Sequence, residues 1–209
     1  MALNSEYNPG NVAIIGIIPQ YPAHSQHNIF ANIKMPPVGI VSVLSQINHD
    51  PRFNAVYAID ENNYRGPRDF TGMPDHNFLQ RKIPAGIAML YGGMSNSIPR
   101  MYAVAQQYKG YGAVTIAGGS HVDAVPKEAL NSGIDIVVHA EGEEITKEIL
   151  EIIVQDGRVN LDRKSLINVK GISILNSDGD YIFTGNRAPI VELDELNDPD
   201  LDECKSLFF

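Results

Sequence analysis

The sequence predicts an α/β protein of doubly wound, flavodoxin-like (Rossmann-like) type: a five-stranded parallel sheet followed by a C-terminal β-hairpin and linker. Three observations predict it. Short, nearly continuous apolar runs alternate with segments of helical periodicity. Small or polar residues follow the first, third, fourth and fifth runs, where such sheets bind ligands. The alternation ends near residue 155, and an Asp-Gly turn between apolar flanks comes after it. With 209 residues and 44% hydrophobic content, the chain holds enough for one sizeable core and a small appendage. Residues 1–160 are expected to form the α/β domain, and residues 161–209 the hairpin and linker.

Val12–Ile18 (VAIIGII) is the first strand, apolar throughout, as when both faces of a strand are covered. Pro19–Met35 is a loop rich in Pro, Asn, Gln and His, of a length that often carries function. Pro36-Pro37 opens a helix to about Asn48, because proline fits a first helical turn. Val38, Val41, Leu44 and Ile47 give it an apolar stripe. Asn54–Asp60 is the second strand. Glu61–Lys82, with Gly66, Pro67, Gly72 and Pro74, reads as an insertion over the sheet edge or mouth. Gly86–Tyr91 is the third strand, Gly92-Gly93 and Ser95-Asn96-Ser97 the turn, and Pro99–Lys109 a helix capped near Ser97 or Ile98. Ala113–Ala117 is the fourth strand, and Pro126–Asn131 a short helix stopped near Gly133. Ile134–His139 is the fifth strand. The helix from Glu143 to Gln155 sets Ile145, Ile149, Ile152 and Ile153 on one face. Gly171–Leu175 and Tyr181–Thr184 flank the turn Ser177-Asp178-Gly179-Asp180, and Ala188–Phe209 is an acidic tail.

Composition excludes several classes of function. A formal net charge of -9 repels phosphate backbones, so no nucleic-acid partner is expected. The lone Cys204 rules out an internal disulfide framework and a cysteine metal cluster, and fits a reducing compartment. Met1–Gly10 is polar and lacks the parts of a signal peptide, and no apolar run is long enough to span a bilayer. The expectation is a cytoplasmic protein without a membrane partner. No Walker loop, nucleophile elbow or G-x-G-x-x-G fingerprint occurs. No catalytic residue and no metal ligand is assigned.

The candidate ligand contacts sit after strands. Gly118-Gly119 admits positive φ and a close backbone approach to a ligand, and a ligand-free tight turn is the alternative. Ser120 and His121 continue that loop. Glu141-Gly142-Glu143 follows the fifth strand; its carboxylates also suit the positive end of the next helix. Ser95, Asn96 and Ser97 follow the third strand, where the hydroxyls either reach a ligand or cap the helix. His24 and His27 lie in the first loop without the acidic or Cys partners of a zinc site.

The order of these motifs resembles the N-terminal cobalamin-binding domain of cobalamin-dependent radical SAM enzymes. The residues that carry the resemblance are Pro36-Pro37-Val38-Gly39-Ile40, Ile59-Asp60, Ala117-Gly118-Gly119-Ser120-His121, Pro126–Leu130 and Asp135–Glu143, then the hairpin and Leu193–Asp200. The resemblance implies cobalamin, a small-molecule cofactor, over the C-terminal strand ends, with its nucleotide tail beside Gly118-Gly119 and Glu141-Gly142. Ser95 and Ser97 match positions that contact the tail. It implies a radical SAM barrel as partner, in cis or in trans. The iron–sulfur cluster and SAM belong to that missing downstream domain, because a Cys-x-x-x-Cys-x-x-Cys motif is absent here. The Asp-x-His-x-x-Gly loop that supplies a lower axial histidine in other cobalamin proteins is absent too, leaving His24 or His27 as substitutes. Ala140 stands where the family often has Gly, and Asn197 where it often has Pro. The expected function is a cobalamin-binding module with no complete active site of its own. The alternatives are a cofactor-free docking module, or an unrelated flavodoxin-like nucleotide-binding enzyme using Glu141 or His121.

Overall fold

The computed structural model describes residues 12–22, 37–191 and 196–199. The expectations on His24, His27, Pro36, Leu193 and Cys204 lie outside the described residues.

Strand β1 (Val12–Ile18) is the centre of the fold. Val12, Ile14 and Ile18 pack into one core and Ile15 and Ile17 into another, which is why the run is apolar throughout. It pairs in parallel with β2 (Phe53–Asp60) on one side and β3 (Ala85–Tyr91) on the other. Strands β4 (Val114–Gly118) and β5 (Ile136–Val138) extend the parallel sheet beyond β3. The order β2-β1-β3-β4-β5 reverses its winding between β1 and β3, the switch point of such sheets.

Helix α1 (Val38–Ile47) covers one face. Gly16 lets it sit close, since a Cβ there would stand 2.4 Å from Leu44 Cδ1. Helices α2 (His76–Lys82), α3 (Ile98–Gly110), α4 (Ser120–Ala124) and α5 (Pro126–Asn131) cover the opposite face, through Leu79, Met101, Val104, Val122 and Leu130. Helix α6 (Gly142–Ile153) returns to the face of α1 and buries Ile145, Ile149 and Ile153 there.

The sheet has seven strands rather than the expected five. After the small ladder β6 (Val154–Gln155) and β7 (Arg158–Val159) and the helical turn α7 (Arg163–Leu166), the expected hairpin forms as β8 (Ile172–Leu175) and β9 (Tyr181–Phe183). It does not stand apart: β8 pairs antiparallel with β5, and β9 with β8. Ile172 and Ile174 complete the α6-side core, so leaving the hairpin free would expose them. His139 fastens the junction, with Nε2 2.7 Å from Ser173 Oγ, which is itself 3.0 Å from Tyr181 OH. Its Nδ1 pairs closely with Asp123.

The sequence reading misses short elements that caps define better than periodicity does. Asp75 accepts from Phe78 N at 2.9 Å and starts α2 inside the expected insertion. Asp162 accepts from Lys164 N and Ser165 N and starts α7. The helix expected to reach Gln155 ends at Ile153, because Asp156 (φ 51°) and Gly157 (φ 71°) turn the chain between β6 and β7.

The insertion is locked in place by one buried carboxylate. Glu61, fully buried, accepts from Gln20 N at 2.8 Å and Arg100 Nε at 3.0 Å, and pairs with His76 Nε2 at 2.8 Å. His76 Nδ1 lies 3.1 Å from Tyr108 OH. Burial pushes the Glu61 carboxyl up, but the hydrogen bonds from His76 and Arg100 outweigh it and hold the group below the usual carboxylate range. Two outcomes follow. Glu61→Ala is expected to cost about 3 kcal/mol in urea denaturation, since it strands the buried partners. A lowered folded pKa means this stabilisation is present in full above the ordinary carboxylate range and is lost as pH falls through the lower folded value. Glu61→Gln is expected to flatten that acid limb; an unchanged limb contradicts the assignment.

Candidate functional site

A cavity of about 290 Å³ opens at the C-terminal edge of the sheet, between α1, α6 and the ends of β3, β4 and β5. Its floor is hydrocarbon: Met89, Ile116 and Val138, one from each strand. Ile40 and Val43 of α1 and Thr146 of α6 form the walls. The space exists because glycines hold key positions around it. A Cβ on Gly39 would meet nothing within 4 Å, and one on Gly118 would come no closer than 3.8 Å, to Val138 O. On Gly142 it would stand 3.2 Å from Val43 Cγ2, so any side chain there crowds the gap between the helices. Ser42 Oγ donates to Glu143 Oε1 at 2.8 Å and ties α1 to α6 beside the opening.

The rim is rigid. Gly119 has φ 121°, and a Cβ on it would lie 2.6 Å from Gly93 N, so only glycine fits where the two loops touch. Gly92 N donates to Gly118 O at 2.7 Å, and His121 N donates to Gly92 O at 3.0 Å. Tyr91 lines the same edge, and burial pushes its phenol up, which keeps it a neutral hydrogen-bonding group. Glu141 Oε2 accepts from Ile190 N at 2.7 Å. The segment after β9 thus crosses α6, where Arg187 pairs with Glu148 at 2.7 Å, and reaches α1. There Asn197 N donates to Gln46 Oε1 at 3.2 Å and Asn197 O accepts from Gln46 Nε2 at 2.9 Å. A proline at 197 could not make the first of these bonds.

Five of the expected contacts line the cavity: Gly118, Gly119, Glu141, Gly142 and Glu143. The other five, Ser95, Asn96, Ser97, Ser120 and His121, do not line it; they build and flank the rim loops. Ser95 Oγ lies 2.9 Å from His121 Nδ1. Ser120 Oγ donates to Gly93 O at 2.8 Å. Ser97, fully buried, donates its hydroxyl to Met94 O at 2.9 Å instead of capping α3, and Asn96 is exposed. Sequence reasoning missed Thr146, Val43 and the floor residues. Gly39 within Pro-Pro-Val-Gly-Ile was their one visible signal, since a glycine in a first helical turn has no intrinsic reason to be there. Among the described residues no group of three or more His, Cys, Asp or Glu could hold a metal ion, and no helix is long and apolar enough to cross a membrane.

Ala140, at the start of the loop into α6, has φ 54°, a conformation that favours glycine. Ala140→Gly is therefore expected to stabilise the protein by about 1 kcal/mol. Gly119→Ala, which adds a backbone clash to the same kind of strain, is expected to destabilise it by about 2 kcal/mol or more. Thermal or urea unfolding reads both; equal stabilities would contradict this description of the rim.

No protein-family model and no curated protein matches the chain. Solved structures do. OxsB, a cobalamin-dependent S-adenosylmethionine radical enzyme solved with aqua-cobalamin and S-adenosylmethionine bound, matches over 95% of this chain with a TM-score of 0.65 and 15% identity. TsrM from Kitasatospora setae, a radical S-adenosylmethionine methyltransferase solved with tryptophan and aza-SAM bound, matches over 83% with a TM-score of 0.60 and 12% identity. The chain spans 26% of the length of the first and 30% of the second. This chain shares its α/β fold with a part of each of these two enzymes.

Proposed function

We propose that this chain is a cobalamin-binding module that holds the corrinoid at the C-terminal edge of its sheet for a radical SAM barrel, in cis or in trans. The observation that carries the reading is the glycine-rimmed apolar cavity at that edge, lined by Gly118, Gly119, Glu141, Gly142 and Glu143. A volume of about 290 Å³ lies at the small end of ligand cavities, which run from about 300 to 1,000 Å³. It suits the flat base of a nucleotide tail and leaves the macrocycle outside, against the strand ends. The residues present fit such a tail: hydrocarbon floor for the ring faces and glycines where side chains would block it. The carboxylates of Glu141 and Glu143 at the rim suit amide N–H donors, which the edge of a corrin carries in number.

Bound cobalamin supplies methyl-transfer or radical chemistry at its cobalt. The part left to the chain is to bind, orient and exclude water. Iron–sulfur and SAM chemistry would belong to the barrel, since one cysteine cannot hold a cluster.

Reconstitution with hydroxocobalamin followed by desalting tests the reading. The expected result is retained corrin absorbance at a stoichiometric level. Gly118→Leu puts a side chain into the open space and is expected to weaken retention at least roughly tenfold while circular dichroism stays unchanged. A wild-type protein that desalts colourless overturns the proposal.

A further inference from the structure

Ser95 stands exposed in the loop after β3, on the single helical turn Ser95–Ser97 that leads into α3. A strand-to-helix turn is where α/β enzymes commonly present a nucleophile. Its Oγ lies 2.9 Å from Nδ1 of His121 on α4. The other ring nitrogen, Nε2, is buried and makes no hydrogen bond among the described residues. The nearby carboxylate is that of Glu128 on α5, whose Oε1 is 4.0 Å away. Tyr102 OH, from α3, donates to that same oxygen at 3.2 Å and holds it in place. Burial, first of all, pushes the Tyr102 phenol well up, so it remains the donor of that bond.

The arrangement exceeds what a loop contact needs. The loops after β3 and β4 are already tied by His121 N and Val122 N, which donate to Gly92 O at 3.0 and 3.2 Å, and by Ser120 Oγ, which donates to Gly93 O at 2.8 Å. A carboxylate on the far side of the imidazole adds nothing to that tie. It does favour one tautomer: with the ring proton on Nε2 toward Glu128, Nδ1 is left to accept the Ser95 O–H. Nucleophile, base and orienting carboxylate then follow one another as in a hydrolytic triad, with the two ring nitrogens exchanged. The neighbouring serine lacks this setting, since Ser97 is buried and donates to Met94 O.

We propose that Ser95 is a nucleophile for acyl transfer, with His121 as its general base and Glu128 as the residue that positions His121, outside the cavity between α1 and α6. The substrate class is an uncharged carboxylic ester, because the Glu128 carboxylate beside the pair disfavours an anionic one. Ser95 Oγ attacks the acyl carbon while its proton passes to His121 Nδ1. The bond from that carbon to the alcohol oxygen breaks, and the alcohol leaves with the proton. Water then adds to the acyl-serine with His121 as base, the acid is released, and the proton returns to Ser95 Oγ. The oxyanion is served by the amide of Asn96, next after the nucleophile and at the start of a helical stretch, where amides have no partner in the helix. Glu128 closes from 4.0 Å to hydrogen-bond distance as the imidazole takes up the proton.

The test treats the full chain with a fluorophosphonate probe and, separately, with p-nitrophenyl acetate. The expected result is a single probe, located on Ser95 by peptide mass spectrometry, and saturable ester hydrolysis. Ser95→Ala is expected to abolish the label, and His121→Gln to slow both reactions at least about a hundredfold. Glu128→Gln is expected to lower kcat roughly tenfold with KM unchanged, which a merely structural contact would not do. Ser177→Ala, in the exposed hairpin turn, is expected to leave both reactions as they are. A wild-type chain that is folded by circular dichroism and takes no label overturns the inference, and so does a label that persists in Ser95→Ala. The wild-type arm decides even where a variant fails to fold. Corrin retention without labelling overturns this inference alone, and labelling without corrin retention overturns only the cobalamin reading.

Discussion

Glycine at positions 39, 118 and 142 leaves the space between two helices and three strand ends unfilled, and the site follows from that constraint. At Gly39 and Gly118 the missing side chain leaves open space; at Gly142 it keeps the start of α6 clear of Val43. Side chains at these points would fill the gap and pack against Met89, Ile116 and Val138, a gain that close-packed interiors normally take. The chain forgoes it. The Ser42–Glu143 hydrogen bond fixes the two helices relative to each other beside the opening. The gap is therefore a built feature of the fold rather than a packing fault, and a ligand that fills it recovers the lost contacts.

The rest of the molecule holds that opening still. On the far face the Glu61, His76 and Arg100 cluster pins the insertion and the end of β1 to α3. At the rim the loops after β3 and β4 touch backbone to backbone at Gly93 and Gly119. The segment after β9 crosses from α6 to α1 and holds both. A cavity whose walls are fixed before a ligand arrives spends less binding energy on ordering them.

Much of this was legible in the sequence, and the rest was not, for physical reasons. The five parallel strands carry continuous apolar runs because both their faces are buried, and Val12–Ile18 shows this most plainly. The hairpin was visible at Asp178-Gly179, but its docking onto β5 was not, since an edge pairing leaves no local mark. Helices α2, α4 and α7 are too short for a 3.6-residue period, and Asp75 and Asp162 define two of them by capping alone. At the site, Gly118, Gly119, Glu141, Gly142 and Glu143 line one cavity, and their place directly after buried strands was the mark they left in the sequence. Ser95, Ser97, Ser120 and His121 carry the same signature and serve the loops themselves. Thr146 sits in the isoleucine-rich pattern of α6, where nothing in the sequence separates a cavity wall from core.

A corrinoid whose tail enters the gap between α1 and α6, as proposed above, would perturb the methyl groups that line that gap. Methyl-selective NMR during addition of hydroxocobalamin tests it most directly. The expected result is large ring-current shifts for the methyl groups of Ile40, Val43, Ile116, Val138 and Thr146. Those of Val104, Val122 and Leu130, in the core on the opposite face, should stay in place. Shifts confined to the opposite face, or binding with no shift at Ile116 and Val138, would contradict it.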